Sequence, residues 1–221
     1  MLTVHEGSLM VEEKGIYSIE NFLVARRLMY WQVYQHKTVL SAEMTLVKIL
    51  ERAVWLFKKG DSSVASSNGL GNILFDRKSQ FDNNYLEMFC SLDDSDVMSE
   101  IKKWKNHSDK IISMLSSAIL NINLLKLMIQ NDPISEEEVT KKRKETAREW
   151  GLSMEDTQFL VFTGVAENSL YNPHEEKINI LYKDGTVRDI SQVDSPLIHQ
   201  HISQPVKKFY ISCNKTQKNQ S

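Results

Sequence analysis

From Ile16 to Phe57 the chain runs for 42 residues without a glycine or proline, and 26 of these are apolar or aromatic. Such a run predicts one long core helix or two abutting helices. Its apolar positions fall on more than one face, so it must be covered on more than one side by partner helices or a partner subunit. Ser18 is placed to cap the start, with Asn21 where a capping box prefers Glu or Gln. Lys58-Lys59-Gly60 supplies the stop, because lysines suit the negative end of the helix dipole and glycine accepts the left-handed residue that ends a helix. Ahead of the run, Leu2-Thr3-Val4 and Leu9-Met10-Val11 flank a turn containing Gly7 and read as a hairpin.

After the run the pattern shortens. Residues 61–71 (DSSVASSNGLG) read as a polar glycine- and serine-rich loop, in which Gly69-Leu70-Gly71 lacks the lysine and strand–helix context of a phosphate loop. Residues 83–90, 94–106 and 109–121 predict three amphipathic helices with Asp or Ser near their starts. Residues 124–129 and 159–165 predict strands on either side of a charged helix, 135–150, whose Glu136-Glu137-Glu138 start places acid at the positive dipole end. Residues 178–182 and 186–188 flank Lys183-Asp184-Gly185 as a second hairpin. Residues 206–213 predict a last strand, and 214–221 a disordered polar tail. All four prolines lie beyond residue 132, where the helical character gives way. The fold class expected is mainly α with a C-terminal α+β lobe: a helical domain over 1–121, the α+β lobe over 122–213 and the tail over 214–221.

Composition narrows the functional classes. Twenty-seven basic residues against twenty-nine acidic ones give a formal net charge of −2, so no overall basic field draws nucleic acid. No apolar run reaches the ~20 residues of a membrane span. The first eleven residues show no charged segment followed by an apolar one, as a secretory signal would. Cys90 and Cys213 are far apart and in no CxxC pair, which points to a reducing, cytoplasmic setting.

The chemistry concentrates on one stretch, Ala25 to Thr38. At helical spacing Arg26, Tyr30 and Tyr34 lie four apart, and Lys37 and Ser41 continue the line. A guanidinium, two phenols and an ammonium thus share one face over roughly 17 Å at ~1.5 Å rise per residue. Such a face suits a nucleotide, with cations for phosphate and tyrosine rings for sugar or base. By spacing alone, core aromatics flanked by basic side chains whose heads reach water are the commoner explanation of such a face.

The run Tyr34-Gln35-His36-Lys37, with Arg26 eight residues before it and Lys14-Gly15-Ile16-Tyr17 further upstream, resembles the helix that follows the metal site in deoxynucleoside triphosphate (dNTP) triphosphohydrolases of the HD-domain superfamily. The likeness covers about residues 1 to 60 well and the rest more loosely. It implies an enzyme family that cleaves a dNTP into deoxynucleoside and triphosphate, with a divalent metal, Mg or Mn, held by a His, a His-Asp pair and a distant Asp. It further implies that Arg26 contacts substrate phosphate and that Tyr34 and Gln35 meet the deoxyribose. Tyr30 falls where some relatives carry a histidine near the scissile phosphate. His36 and Lys37 fall where regulated members face an allosteric nucleotide at a subunit contact, so a homo-oligomer is expected.

No His-Asp dipeptide exists in this chain: the six histidines precede Glu6, Lys37, Ser108, Glu175, Gln200 and Ile202. In the family the metal ligands lie upstream of the matching segment. The chain is therefore expected to supply a substrate-facing helix and oligomer contacts but no metal ligand, and to be inactive as a hydrolase by itself. A non-catalytic interaction or oligomerisation module is the alternative. His199-Gln200-His201 has no ligand-spaced Cys, Asp or Glu beside it and reads as surface or packing. Asp93-Asp94-Ser95-Asp96 reads as a helix start. Lys141-Lys142-Arg143-Lys144 reads as a solvated face paired with Glu137 and Glu138, and nucleic acid is not an expected partner.

Overall fold

The long apolar run forms two helices, not one. In the computed structural model, which describes residues 1–65, 69–75, 82–168, 171, 177–193 and 206–213, α1 spans Ile16–Met29 and α2 spans Lys37–Lys58, separated by a π-helical turn at Tyr30–Tyr34. The bond from the Gln35 amide to the Tyr30 carbonyl (2.7 Å) closes that wider turn, and Gln35 leaves helical geometry at φ −105°, ψ 20°. Ser18 is not the cap: α1 begins after Gly15, and the Ser18 hydroxyl reaches the Met1 sulfur instead. The stop is as expected. Gly60 takes φ +94°, and its amide and that of Asp61 bond back to Phe57 and Leu56, the paired geometry of a left-handed helix end.

The residues cluster into two compact units that interleave along the chain: Met1–His36, Gln130–Asp132 and Val165–Phe209 in the first, and Lys37–Ile129, Pro133–Gly164 and Tyr210–Ser221 in the second. The boundary expected at residue 121 thus falls inside the second unit.

In the first unit, β1 (Leu2–His5) and β2 (Ser8–Glu12) form the expected hairpin. Glu6 and Gly7 both have positive φ at its turn, the conformation that matches strand twist. β2 then pairs in parallel with β5 (Asn179–Leu181), which pairs antiparallel with β6 (Val187–Asp189), giving the sheet order β1-β2-β5-β6. The mixed sheet therefore joins the first hairpin of the sequence to the last. Val11, Ile16, Leu23, Tyr171, Ile180, Ile190 and Val193 form its core. The Tyr171 hydroxyl donates to Asp189 (2.6 Å) and accepts the Ile178 amide (2.9 Å).

The second unit is helical. Beside α2 lie α3 (Gly69–Phe75), α4 (Asn83–Cys90), α5 (Asp94–Trp104), α6 (Lys110–Leu120), α7 (Glu136–Trp150) and the short α8 (Met154–Thr157). The loop expected over 61–71 is cut short, because Gly69 already opens α3. A side chain at Gly69 would crowd Met88 and Leu92 at 3.2–3.3 Å, so glycine allows the close approach. Asp82, Asp93, Asp109 and Ser135 cap α4, α5, α6 and α7 as their positions predict, and Asp93 with Asp96 completes a capping box. α2 packs on α6, and α6 on α5, around Ile49, Ala53, Ile101, Trp104, Ile112 and Leu115. The remaining strands are β3 (Lys126–Gln130), β4 (Thr163–Asn168) and β7 (Val206–Cys213), paired in the order β3-β7-β4, and each contributes residues to both units. The strand expected at 159 thus begins only at Thr163. Cys90 and Cys213 are both free thiols.

Candidate functional site

The stretch singled out by sequence lies at the end of α1 and on the π turn. Single π turns inside helices gather at functional sites because the wider ring re-aims the side chains that follow. The Arg26 guanidinium carbon lies 5.2 Å from the centre of the Tyr30 ring. That ring packs on Tyr34 at 5.0 Å between centres, tilted by 42°. Arg26, Tyr30 and Tyr34 thus form one stack on one face, as their spacing predicts, with Tyr34 more than half exposed. Among the described residues Arg26 has no acidic partner, so its charge is available.

The Gln35 amide is fixed by its Nε2 donating to the Glu167 carbonyl (2.8 Å), while its Oε1 is buried without a donor. Glu167 in turn pairs with Lys207 at 3.3 Å, and Lys208 lies 4.6 Å from the Trp31 ring centre. The Asn168 amide reaches the Arg27 carbonyl at 3.5 Å. Strands β4 and β7 thereby brace the π turn and hold cations beside it, a contribution from residues 130 or more positions away that the local pattern does not disclose.

The expected line does not continue through Lys37 and Ser41. Lys37 opens a new helix, α2, in the second unit, and Ser41 is buried with its hydroxyl on the Leu125 carbonyl (2.5 Å). His36 lies at the break, its amide on the Val33 carbonyl at 3.4 Å. The π turn is the cause, since an extra residue in the ring shifts every later position off the i+4 register. The ion pairs expected between Glu137 and Lys141 and between Glu138 and Lys142 are also absent among the described residues, where Arg143 donates to the Val161 carbonyl (3.1 Å). His199 and His201 lie outside the described residues.

Two polar clusters of the second unit escape sequence reasoning. Arg52 is buried with a bidentate pair to Asp109 (3.1 and 2.6 Å) and a third bond to Asp156 (2.7 Å). Its guanidinium also lies 4.2 Å from the Trp55 ring centre and 4.9 Å from that of Phe159. Burial works against the charge, but the two carboxylates outweigh it and hold the Arg52 pKa above the ordinary arginine value. This cluster ties α2, the start of α6 and α8 together.

The second cluster, Asp61, Ser63 and His107, has the composition of a hydrolytic triad but not its proton arrangement. His107 Nδ1 accepts the Asp109 amide (3.0 Å), so in the neutral ring Nε2 carries the hydrogen and donates to Ser63 Oγ (2.7 Å). The serine hydrogen then goes to Asp61 (2.5 Å), which the Ser63 bonds hold below the usual carboxylate range. A nucleophilic serine needs the reverse polarity, with imidazole accepting its proton. The cluster is a turn clamp.

Among the described residues no group of three or more His, Cys, Asp or Glu is gathered as a metal ion requires. The donors among the described residues do not fit a divalent metal, and no step is assigned to one there. Nor is any described helix long and apolar enough to cross a membrane.

Comparison with known proteins places this geometry. Residues 1–65, which carry the hairpin, α1 and the π turn, match the family described as HD associated region. The fold is similar to that of a solved phosphohydrolase from Bacteroides thetaiotaomicron, at 37% identity and a TM-score of 0.84 over 97% of this chain and 54% of that one. A hypothetical protein from Aquifex aeolicus is similar at 25% identity and a TM-score of 0.54 over 96% of this chain and 46% of that one. The uncharacterized protein YwfO of Bacillus subtilis is 27% identical over 193 residues, 85% of this chain and 42% of its own length. The chain spans about half the length of the relatives it matches. Residues 1–65 are thus similar to an HD associated region, within a mainly helical fold similar to that of a solved phosphohydrolase.

Proposed function

We propose that this chain is the substrate-facing portion of an HD-type phosphohydrolase that cleaves dNTPs into deoxynucleoside and triphosphate, as the dNTP triphosphohydrolases do. One observation carries the reading: Arg26, stacked on Tyr30 and without an acidic partner among the described residues, ends a ladder of two tyrosine rings. A guanidinium of this kind can bind phosphate oxygens in bidentate fashion. The exposed Tyr34 ring can pack on the sugar or base, and Gln35, fixed beside it on the Glu167 carbonyl, is the proposed neighbour of the deoxyribose. Tyr30 supplies a phenol where some relatives have an imidazole. Tyr30 packs between Arg26 and Tyr34 and orients them. His36 and Lys37 are the proposed contacts for a regulatory nucleotide at a subunit boundary of a homo-oligomer. In the intact protein a divalent metal, Mg or Mn, would be held by His and Asp ligands supplied from outside this chain and would contribute phosphate polarisation and water activation.

Binding and chemistry are expected to separate. The purified chain with dGTP and Mn²⁺ is expected to show a thermal shift but to release no triphosphate. Arg26→Ala is expected to weaken dGTP binding by roughly 10- to 100-fold, the value of one or two charged hydrogen bonds, as read by calorimetry, and Tyr34→Ala to weaken it less. Triphosphate release by the chain alone, or binding unchanged in Arg26→Ala, rejects the proposal.

A further inference from the structure

A helix at a protein surface normally turns charges toward water, yet one broad arc of α1 carries none. Its inner side carries Ile16, Leu23 and the buried Glu20. At 100° per residue, the opposite arc of about 140° holds Tyr17, Leu28, Asn21, Ala25, Ser18, Met29 and Phe22 in angular order. Every one of these positions is exposed, and none is charged.

The hairpin repeats the pattern. Leu2 lies opposite Val11, and Val4 opposite Leu9, so the four share one face of the sheet. Val11 is in the core of the unit, whereas Leu2, Val4 and Leu9 extend the same apolar face into solvent. Together with Tyr17, Phe22 and Leu28 these side chains are 53–73% exposed. Single apolar residues at a surface are unremarkable; two uncharged faces on adjoining elements of one 29-residue stretch mark an interaction surface.

We infer that the outer arc of α1 and the Leu2/Val4/Leu9 face of the hairpin are the docking surface for the polypeptide that makes up the other half of the HD-type phosphohydrolase, the half that carries the metal ligands. Two findings select this occupant. Both faces lie within residues 1–65, the segment matched as an HD associated region. The relatives are about twice the length of this chain while nearly all of it aligns, so roughly half of each relative has no counterpart here. The inference rests on the proposed reading of the chain as a portion of such an enzyme. It adds which surface receives the rest, and it makes the apolar outer face of α1 an interior one in the assembled protein.

The test compares the same substitutions in two settings: the 221-residue chain alone, and the chain joined behind the half of the Bacteroides phosphohydrolase that it does not cover. In the chain alone, Phe22→Asp and Leu9→Asp replace exposed groups and are expected to leave the melting temperature within ~1 °C. In the joined protein each is expected to lower it by ~5 °C or more, because a charge then enters a packed interface. Lys141→Asp, on an exposed face elsewhere, is expected to change neither.

Equal effects in both settings overturn the inference, as does a joined protein that is soluble with Phe22→Asp but not with the native sequence. Self-association of the 221-residue chain that Phe22→Asp abolishes assigns the surface to a second copy and also overturns it. A joined protein that shows the expected difference but cleaves no dNTP leaves the docking surface standing and rejects the substrate reading alone.

Discussion

Glu20 is the residue whose environment fits its chemistry least. It is 2% exposed, and neither carboxylate oxygen has a hydrogen-bond partner. Buried polar groups are nearly always paired, and leaving one unpaired costs about 1–3 kcal/mol, more when it is charged. Replacing it by an apolar side chain of similar volume removes that cost. Glu20→Leu is therefore expected to stabilise the chain by about 1–3 kcal/mol, seen as a higher urea midpoint with an unchanged slope; a lower midpoint shows that the carboxylate has a favourable role. The same position shows the reach of sequence reasoning. Glu20 sits mid-helix among apolar neighbours and looks like any solvent-facing glutamate until the fold turns it inward. Arg26 and Tyr34 were legible because an i, i+4 relation needs only the helix, whereas the bond from Gln35 to Glu167 crosses 132 positions.

Among the elements, β4 and β7 are matched by one close approach. A methyl group at Gly164 would lie 2.2 Å from the Tyr210 hydroxyl oxygen and 2.3 Å from its ring, within the second unit. The ring is buried against the glycine and cannot swing away without opening the core. Gly164→Ala is expected to destabilise the protein by about 1–3 kcal/mol, the usual cost of overpacking, as a fall in melting temperature of several degrees. Tyr210→Leu in the same chain is expected to reduce that fall; an unchanged Gly164→Ala protein would mean that the strands are not so closely matched. Helix ends were the most legible features at this scale, because a cap is a contract between neighbours in sequence: Asp93 with Asp96, Asp109 with Ile112, Ser135 with Glu138. The π turn was not legible. Tyr30–Tyr34 has the composition of ordinary helix, and its bracing comes from β4 and β7.

For the molecule as a whole, ionisation sets a window of stability. Burial tends to raise the pKa of Asp156 and Asp189, but hydrogen bonds from Ser153 and Arg52 to the first, and from Ser191 and Tyr171 to the second, outweigh it and leave both below the ordinary carboxylate value. A depressed carboxylate contributes stability that is present above its unfolded pKa and is lost as pH falls through the folded one. Tyr171 runs the other way: burial, then its bond to Asp189, push it up to about 12 from 10.0. That contribution is complete below pH 10 and is lost as pH rises toward 12. Denaturant midpoints are thus expected to be flat between about pH 5 and 10 and to fall on both sides. Asp189→Asn is expected to flatten both limbs in part; alkaline loss unchanged by that substitution would mean that another group sets it. Sequence alone determined most of the longer helices, the caps of α4 to α7, both hairpins and the Arg26–Tyr30–Tyr34 face, because each depends on neighbours within one or two turns. The mixed sheet that joins Val11 to Ile180, the Arg52 clamp between Asp109 and Asp156, the unpaired Glu20 and the uncharged outer arc of α1 were decided only in three dimensions. They depend on which distant segments cover a surface and which surfaces are left bare, and local periodicity carries no record of either.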